Sequence, residues 1–104
     1  MVQPFQVEIS DRDGRVVAVA EITEMSDETY LGRMLRNDFS RDISEILEEY
    51  HATCESGSMS YLDVVLARLL AFELRVVGLP GKGASVPLRD FQLGPDGLFS
   101  LMVD

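Results

Sequence analysis

The sequence predicts an α+β fold: an N-terminal β-hairpin, two to three helices and a C-terminal β-hairpin, with an antiparallel sheet of about four strands and the helices packed on one face. Three observations carry this expectation. Alternating apolar residues flank an Asp-Gly turn near each end of the chain, which is the period and punctuation of hairpins. Between them, apolar residues recur at three- and four-residue spacing, the period of amphipathic helices. The length of 104 residues with 46% hydrophobic positions suits a single domain, 1–104, around one core.

In the first hairpin Phe5, Val7 and Ile9 alternate with Gln6, Glu8 and Ser10, so one face of the strand is apolar. Asp13-Gly14 marks the turn, because Gly takes positive φ without penalty. Val16 to Ile22 is the return strand. Residues 27–36 then read as a short helix. Ser26 is its expected N-cap, and Met25 and Tyr30 hold the two positions of a hydrophobic staple. Asp27 and Glu28 fall in the first turn, and Arg33 and Arg36 in the last, which suits the helix dipole. Gly32 weakens this helix, and Asn37-Asp38 breaks it.

A second helix is expected over 41–54, capped by Ser40. Phe39, Ile43, Ile46, Leu47, Tyr50 and Cys54 fall within roughly 100° of arc on it. Glu55-Ser56-Gly57-Ser58 ends it. The third helix opens at Ser60, where Ser60 and Asp63 form a capping-box-like pair and Met59 and Val64 a staple. It carries Leu62, Val65, Leu66, Leu69, Leu70, Phe72 and Val76 and ends near Gly78-Leu79-Pro80. So little polar face remains that this helix is expected to be the central buried element. After a loop from Pro80 to Ser85, Val86 to Leu93 and Leu98 to Val103 flank Gly94-Pro95-Asp96-Gly97 as the second hairpin.

Eighteen acids against nine basic residues give a net charge of −9. Such a chain lacks the basic footprint for gripping DNA or RNA directly or an anionic membrane surface. The apolar stretch Tyr61 to Leu79 is interrupted by Asp63, Arg68, Glu73 and Arg75, so no membrane span is expected. The N-terminus shows no secretory pattern. Cys54 is the single cysteine, which fits a reducing, cytoplasmic setting.

The charge is concentrated. Between Glu21 and Glu55 stand ten acids and three arginines, a local charge of −7. On the second helix Asp42, Glu45 and Glu49 step by three and four residues opposite the apolar stripe. Glu48 sits at the edge of this face, and Asp38 joins if the helix starts early. Arg41 is the nearby cation on that face. Like charges at this spacing repel by a few tenths of a kcal/mol per pair, whereas a stabilised solvent face mixes signs. A solvated face that keeps the protein in solution is the competing reading.

Other motifs carry less. His51 and Cys54 stand one helical turn apart, but structural zinc needs four ligands and the chain has no other His or Cys. No metal or cofactor is therefore expected. Cys54 completes the apolar stripe, where Cys acts as a small hydrophobe. Asp11-Arg12-Asp13-Gly14 resembles part of a calcium loop, but the first and last ligand positions fall on Ile9 and Ala20, so a hairpin turn explains it. Gly78 to Ser85 lacks the order and the strand-to-helix context of a phosphate loop. No catalytic motif stands out, and no enzyme activity is expected.

The expected function is that of a small acidic inhibitor or binding module, of the immunity-protein, antitoxin or phage-inhibitor type. Its acidic helix face would occlude a basic protein partner, one whose site processes nucleic acid. The alternative is a dimeric adaptor or secretion-type chaperone that binds a client segment along a sheet edge or apolar groove. Its dimer interface would come from the third helix and the late hairpin. Both a monomer and a homodimer fit the sequence.

Overall fold

The computed structural model describes residues 3–57 and 59–103, with Met59 described by its backbone alone. Both end hairpins form as the alternation predicts. β1 (Phe5–Ser10) pairs antiparallel with β2 (Val16–Ser26), with Val7 opposite Ala20 and Ile9 opposite Ala18. Their turn is fixed by Asp11, whose carboxylate accepts from the backbone N–H groups of Asp13 and Arg15 at 3.0 and 2.9 Å.

The next segment departs from expectation. The short helix predicted over 27–36 is instead a strand, β3 (Thr29–Asn37), paired along β2. Met25 and Tyr30 do meet, as cross-strand partners rather than as a staple. Arg33 pairs with Glu21 across the ladder, Nε to Oε1 at 3.0 Å, rather than serving a helix C-terminus. Tyr30 and Gly32 point inward while Arg33 and Leu35 are exposed, which is the period of a strand. Asp27 makes the turn at φ 53, a left-handed conformation that Asp tolerates better than most residues. Gly32 has a separate reason to be glycine. A Cβ there would lie 1.9 Å from the carbonyl oxygen of Glu21.

α1 (Arg41–Ser56) follows the predicted cap: Ser40 Oγ accepts from the Ile43 N–H at 3.3 Å, and Gly57 ends the helix at φ 73. Its inner face buries Ile43, Ile46, Leu47 and Tyr50. α2 (Met59–Leu70) is shorter than predicted. It stops where Glu73 turns left-handed at φ 54 and Arg12 donates to the Ala71 carbonyl at 2.7 Å. The predicted Met59–Val64 staple rests on a side chain outside the described residues. The segment read as the end of this helix is β4 (Arg75–Val77). β5 (Ser85–Leu93) and β6 (Leu98–Val103) complete the chain as the expected hairpin.

These two unforeseen strands overturn the open four-stranded sheet. β3 joins β2 to β6, and β4 joins β5 to β1, so the order β1-β2-β3-β6-β5-β4 closes into a six-stranded antiparallel barrel. Read as helices, the same segments would leave two hairpins with nothing to connect them around a ring. The interior is filled by Val7, Ile9, Ala20, Ile22, Val76, Phe91 and Leu101, all 1% exposed or less. Small and large side chains thus share a narrow lumen, as small barrels require.

The helices do not lie on a sheet face. Both fall between the C-terminal end of β3 and the N-terminal end of β4. In this antiparallel order those two ends share one mouth of the barrel with the β1–β2 and β5–β6 turns. α1 is tied there by Tyr50, whose hydroxyl donates to Asp90 Oδ1 on β5 at 2.5 Å. Phe39 packs on Phe91, and Phe91 on Phe99, with ring centroids 6.0 and 5.5 Å apart. α2 is not the central buried element. Val65 and Leu69 are buried, but Val64, Tyr61 and Leu70 are exposed. The barrel itself supplies the core that the helix was expected to supply.

Candidate functional site: an acidic helix face beside a groove

α1 buries one face against the barrel mouth, so its opposite face must project outward. Arg41, Asp42, Glu45, Glu48 and Glu55 are all exposed there. Asp42 lies in the first turn, where a carboxylate complements the helix dipole. Glu45 meets Arg41 Nε at 3.3 Å with 64% of its side chain exposed. Arg preceding Glu is the weaker orientation of an i,i+4 pair, and at this exposure the pair contributes little. Asp42 and Glu48 make no ion pair among the described residues. The outward face therefore carries four carboxylates and one guanidinium.

Two of the predicted site residues stand apart from that face. Asp38 lies before the helix, paired with Arg36 at the end of β3. Glu49 turns toward α2, where it accepts from the Tyr61 hydroxyl at 2.6 Å and from Arg68 Nη1 at 2.9 Å. The Tyr61 hydrogen bond, with the charge of Arg68, holds its carboxyl below the usual range, while burial pulls the other way. Tyr61 is shifted up by the same bond. Glu49 thus fastens α1 to α2. The sequence placed it on the acidic face because its spacing from Asp42 and Glu45 is helical; its partners sit on the next helix.

Along one flank of α1 runs a groove of ≈ 390 Å³. Asn37, Ser44, Glu48 and His51 supply its polar groups, and Leu47 and Leu93 its apolar ones. Gly94 of the β5–β6 turn closes it; a Cβ there would come 3.8 Å from His51 Cε1 and 3.0 Å from Asp96 Oδ1. Glu48 belongs to both the groove and the outer face. No local signal pointed to this groove, since it needs a turn more than forty residues downstream of His51.

The weaker candidates resolve as structure. Cys54 is partly buried, and burial first, then the charges of Asp90 and Glu55, push its thiol up. This is the wrong direction for a thiolate nucleophile. His51 Nε2 lies 3.9 Å from Glu55 Oε1. No group of three or more His, Cys, Asp and Glu side chains comes together to suit a metal among the described residues. Asp11 spends its carboxylate on the hairpin turn. Lys82 is exposed in the loop between β4 and β5, at the mouth opposite the helices. No described helix is long and apolar enough to cross a membrane.

No protein-family model, curated protein or solved structure matches this chain.

Proposed function

We propose that this protein is a non-catalytic binding module that engages a basic protein partner through the outer face of α1, in the manner of an inhibitor that occludes a nucleic-acid-processing site. The observation that carries the reading is the projection of Asp42, Glu45 and Glu48 from a single helix face, two of them with no ion pair among the described residues. Exposed carboxylates held on a rigid helix steer a cationic surface and raise its association rate. Asp38 lies before the helix and Glu49 is turned toward α2 by Tyr61 and Arg68, so both fall outside the outward face and drop out of the contact set. The groove beside Glu48 gives the partner a concave flank. The client-strand alternative loses support, because a closed strand order offers no long free edge for strand addition. The test is the triple variant Asp42→Lys/Glu45→Lys/Glu48→Lys, used as bait beside the parent in a pull-down from the source cell. A basic protein retained by the parent and lost by the folded variant supports the reading; equal retention by both refutes it.

A further inference from the structure

The groove beside Glu48 carries a charge that no basic residue of this chain balances among the described residues. Ser44, Leu47, Glu48 and His51 line it at the i, i+3, i+4 and i+7 positions of one flank of α1. Leu93 and Pro95 line it from β5 and the turn that follows. A Cβ on Gly94 would lie 3.8 Å from His51 Cε1 and 3.0 Å from Asp96 Oδ1, so both side chains border the same end. Glu55 Oε1 stands 3.9 Å from His51 Nε2. Glu48, Glu55 and Asp96 therefore collect around the groove from two elements. No Lys or Arg lines it, and none pairs with these three acids among the described residues.

We propose that this groove receives a single arginine side chain of the basic partner. The inference rests on the reading of α1 as the face that meets that partner, and it names the group recognised. A groove of ≈ 390 Å³ lies at the small end of ligand sites, roughly 300–1,000 Å³, and suits one long side chain rather than a folded segment. The Glu48 carboxylate offers two oxygens to a guanidinium fork, a bidentate geometry that an ammonium cannot match. Ser44 stands one turn before Glu48 on the same flank, so its hydroxyl can accept a further guanidinium N–H. Leu93 and Pro95 supply apolar surface for the arginine stem. A guanidinium is also more weakly hydrated than an ammonium, so it enters a partly apolar groove more readily. The roles of the two surfaces then divide. The exposed acids of the outer face steer the encounter, and the seated arginine holds the complex, as arginines in pockets at interface centres do.

Titration of the isotope-labelled full chain with Nα-acetyl-arginine amide, followed by amide NMR, tests it without the partner. Saturable shifts should centre on the N–H groups of Ser44, Glu48, His51 and Gly94, with a Kd of about 1 mM, the weak end of the affinity scale. Nα-acetyl-lysine amide should bind about tenfold more weakly. Nα-acetyl-norleucine amide, which has an apolar stem and no charge, should give no saturable shift. Glu48→Gln keeps the shape and removes the charge, whereas Ser44→Met fills the groove and keeps the charge. Each should weaken arginine binding about tenfold or more, while the remaining amide signals hold their positions and show the fold intact. Absence of saturation by about 100 mM arginine amide, two decades weaker, overturns the proposal. So does equal affinity for the lysine or norleucine amide, or binding unchanged in either variant. The outcome is separable from the pull-down. Arginine binding in the groove with no basic protein captured keeps the site and removes the occluding role. A basic protein held equally by the parent and Ser44→Met, with no arginine binding, keeps the outer face and removes the groove.

Discussion

Gly32→Ala discriminates between a helix and a strand at residues 29–37 by the sign of its effect. In a helix interior, Ala in place of Gly stabilises by about 0.8–1.0 kcal/mol. In the barrel, the new Cβ falls 1.9 Å from the Glu21 carbonyl oxygen, 2.9 Å from its carbon and 3.1 Å from Ile22 Cα. A carbon normally stands about 3.3 Å or more from a carbonyl oxygen, so β2 and β3 must separate by more than about 1 Å. All three obstructing atoms are backbone, and no rotamer change relieves them. The ring is closed, so a shift of β3 also disturbs its ladder with β6. Overpacking costs typically about 1–3 kcal/mol and sometimes more, and the rigidity here puts the cost at about 3 kcal/mol or above. At about 4–8 °C per kcal/mol for a domain of this size, the melting temperature should fall by about 12–24 °C. Thermal and urea unfolding followed by circular dichroism measure it. A variant as stable as the parent, or more stable, refutes the strand placement.

Burial separates two leucines that the sequence treats alike. Leu69→Ala, at a site 1% exposed, should cost about 2–5 kcal/mol, while Leu66→Ala at a half-buried site should cost about 1 kcal/mol; urea midpoints of the two compare them directly. Tyr50→Phe should lose about 1–2 kcal/mol with the hydrogen bond to Asp90, and ultraviolet titration should show the parent's Tyr50 ionising above the ordinary tyrosine value of 10, because burial and then Asp90 disfavour the phenolate. Glu49 has a folded-state pKa depressed from 4.5, so its tie to α2 stabilises the fold above that pH and is lost as pH falls through the depressed value. The melting temperatures of the parent and Glu49→Gln should therefore differ at pH 7 and converge below pH 4.5; a gap that stays constant to pH 3 would assign the loss to something other than ionisation.

The parts of the fold that were legible in the sequence are those fixed by short-range chemistry. Both Asp-Gly hairpins and the capped α1 depend on residues within a few positions of each other. β3 was not legible because its residues satisfy two patterns at once. Ser26, Met25 with Tyr30, and Arg33 fit a cap, a staple and a dipole partner; they also fit a strand end, a cross-strand pair and a ladder ion pair. The choice is made by β6, some seventy residues downstream, which pairs with Thr29 to Arg33. Gly32 was the one contrary signal, since an isolated Gly in a strand marks close backbone approach. β4 was hidden because α2 ends at a left-handed glutamate rather than at a Gly or Pro, and only three residues follow as strand. The candidate site divides in the same way. The acidity of α1 is local and was visible, whereas the loss of Glu49 to Tyr61 and Arg68, and the groove closed by Gly94, depend on other elements.

The central claim is that the outer face of α1 recruits a basic partner by charge. The most direct measurement is the association rate of that partner, once captured by the parent, with the parent and with the Asp42→Lys/Glu45→Lys/Glu48→Lys variant at two salt concentrations. The account predicts that the parent associates faster at low salt, because exposed charges are screened within about 8 Å at 0.15 M. It also predicts that the folded variant associates more slowly, with a smaller change in dissociation. Equal association rates for parent and variant at both salt concentrations would contradict it and leave the acids of α1 a solvated surface.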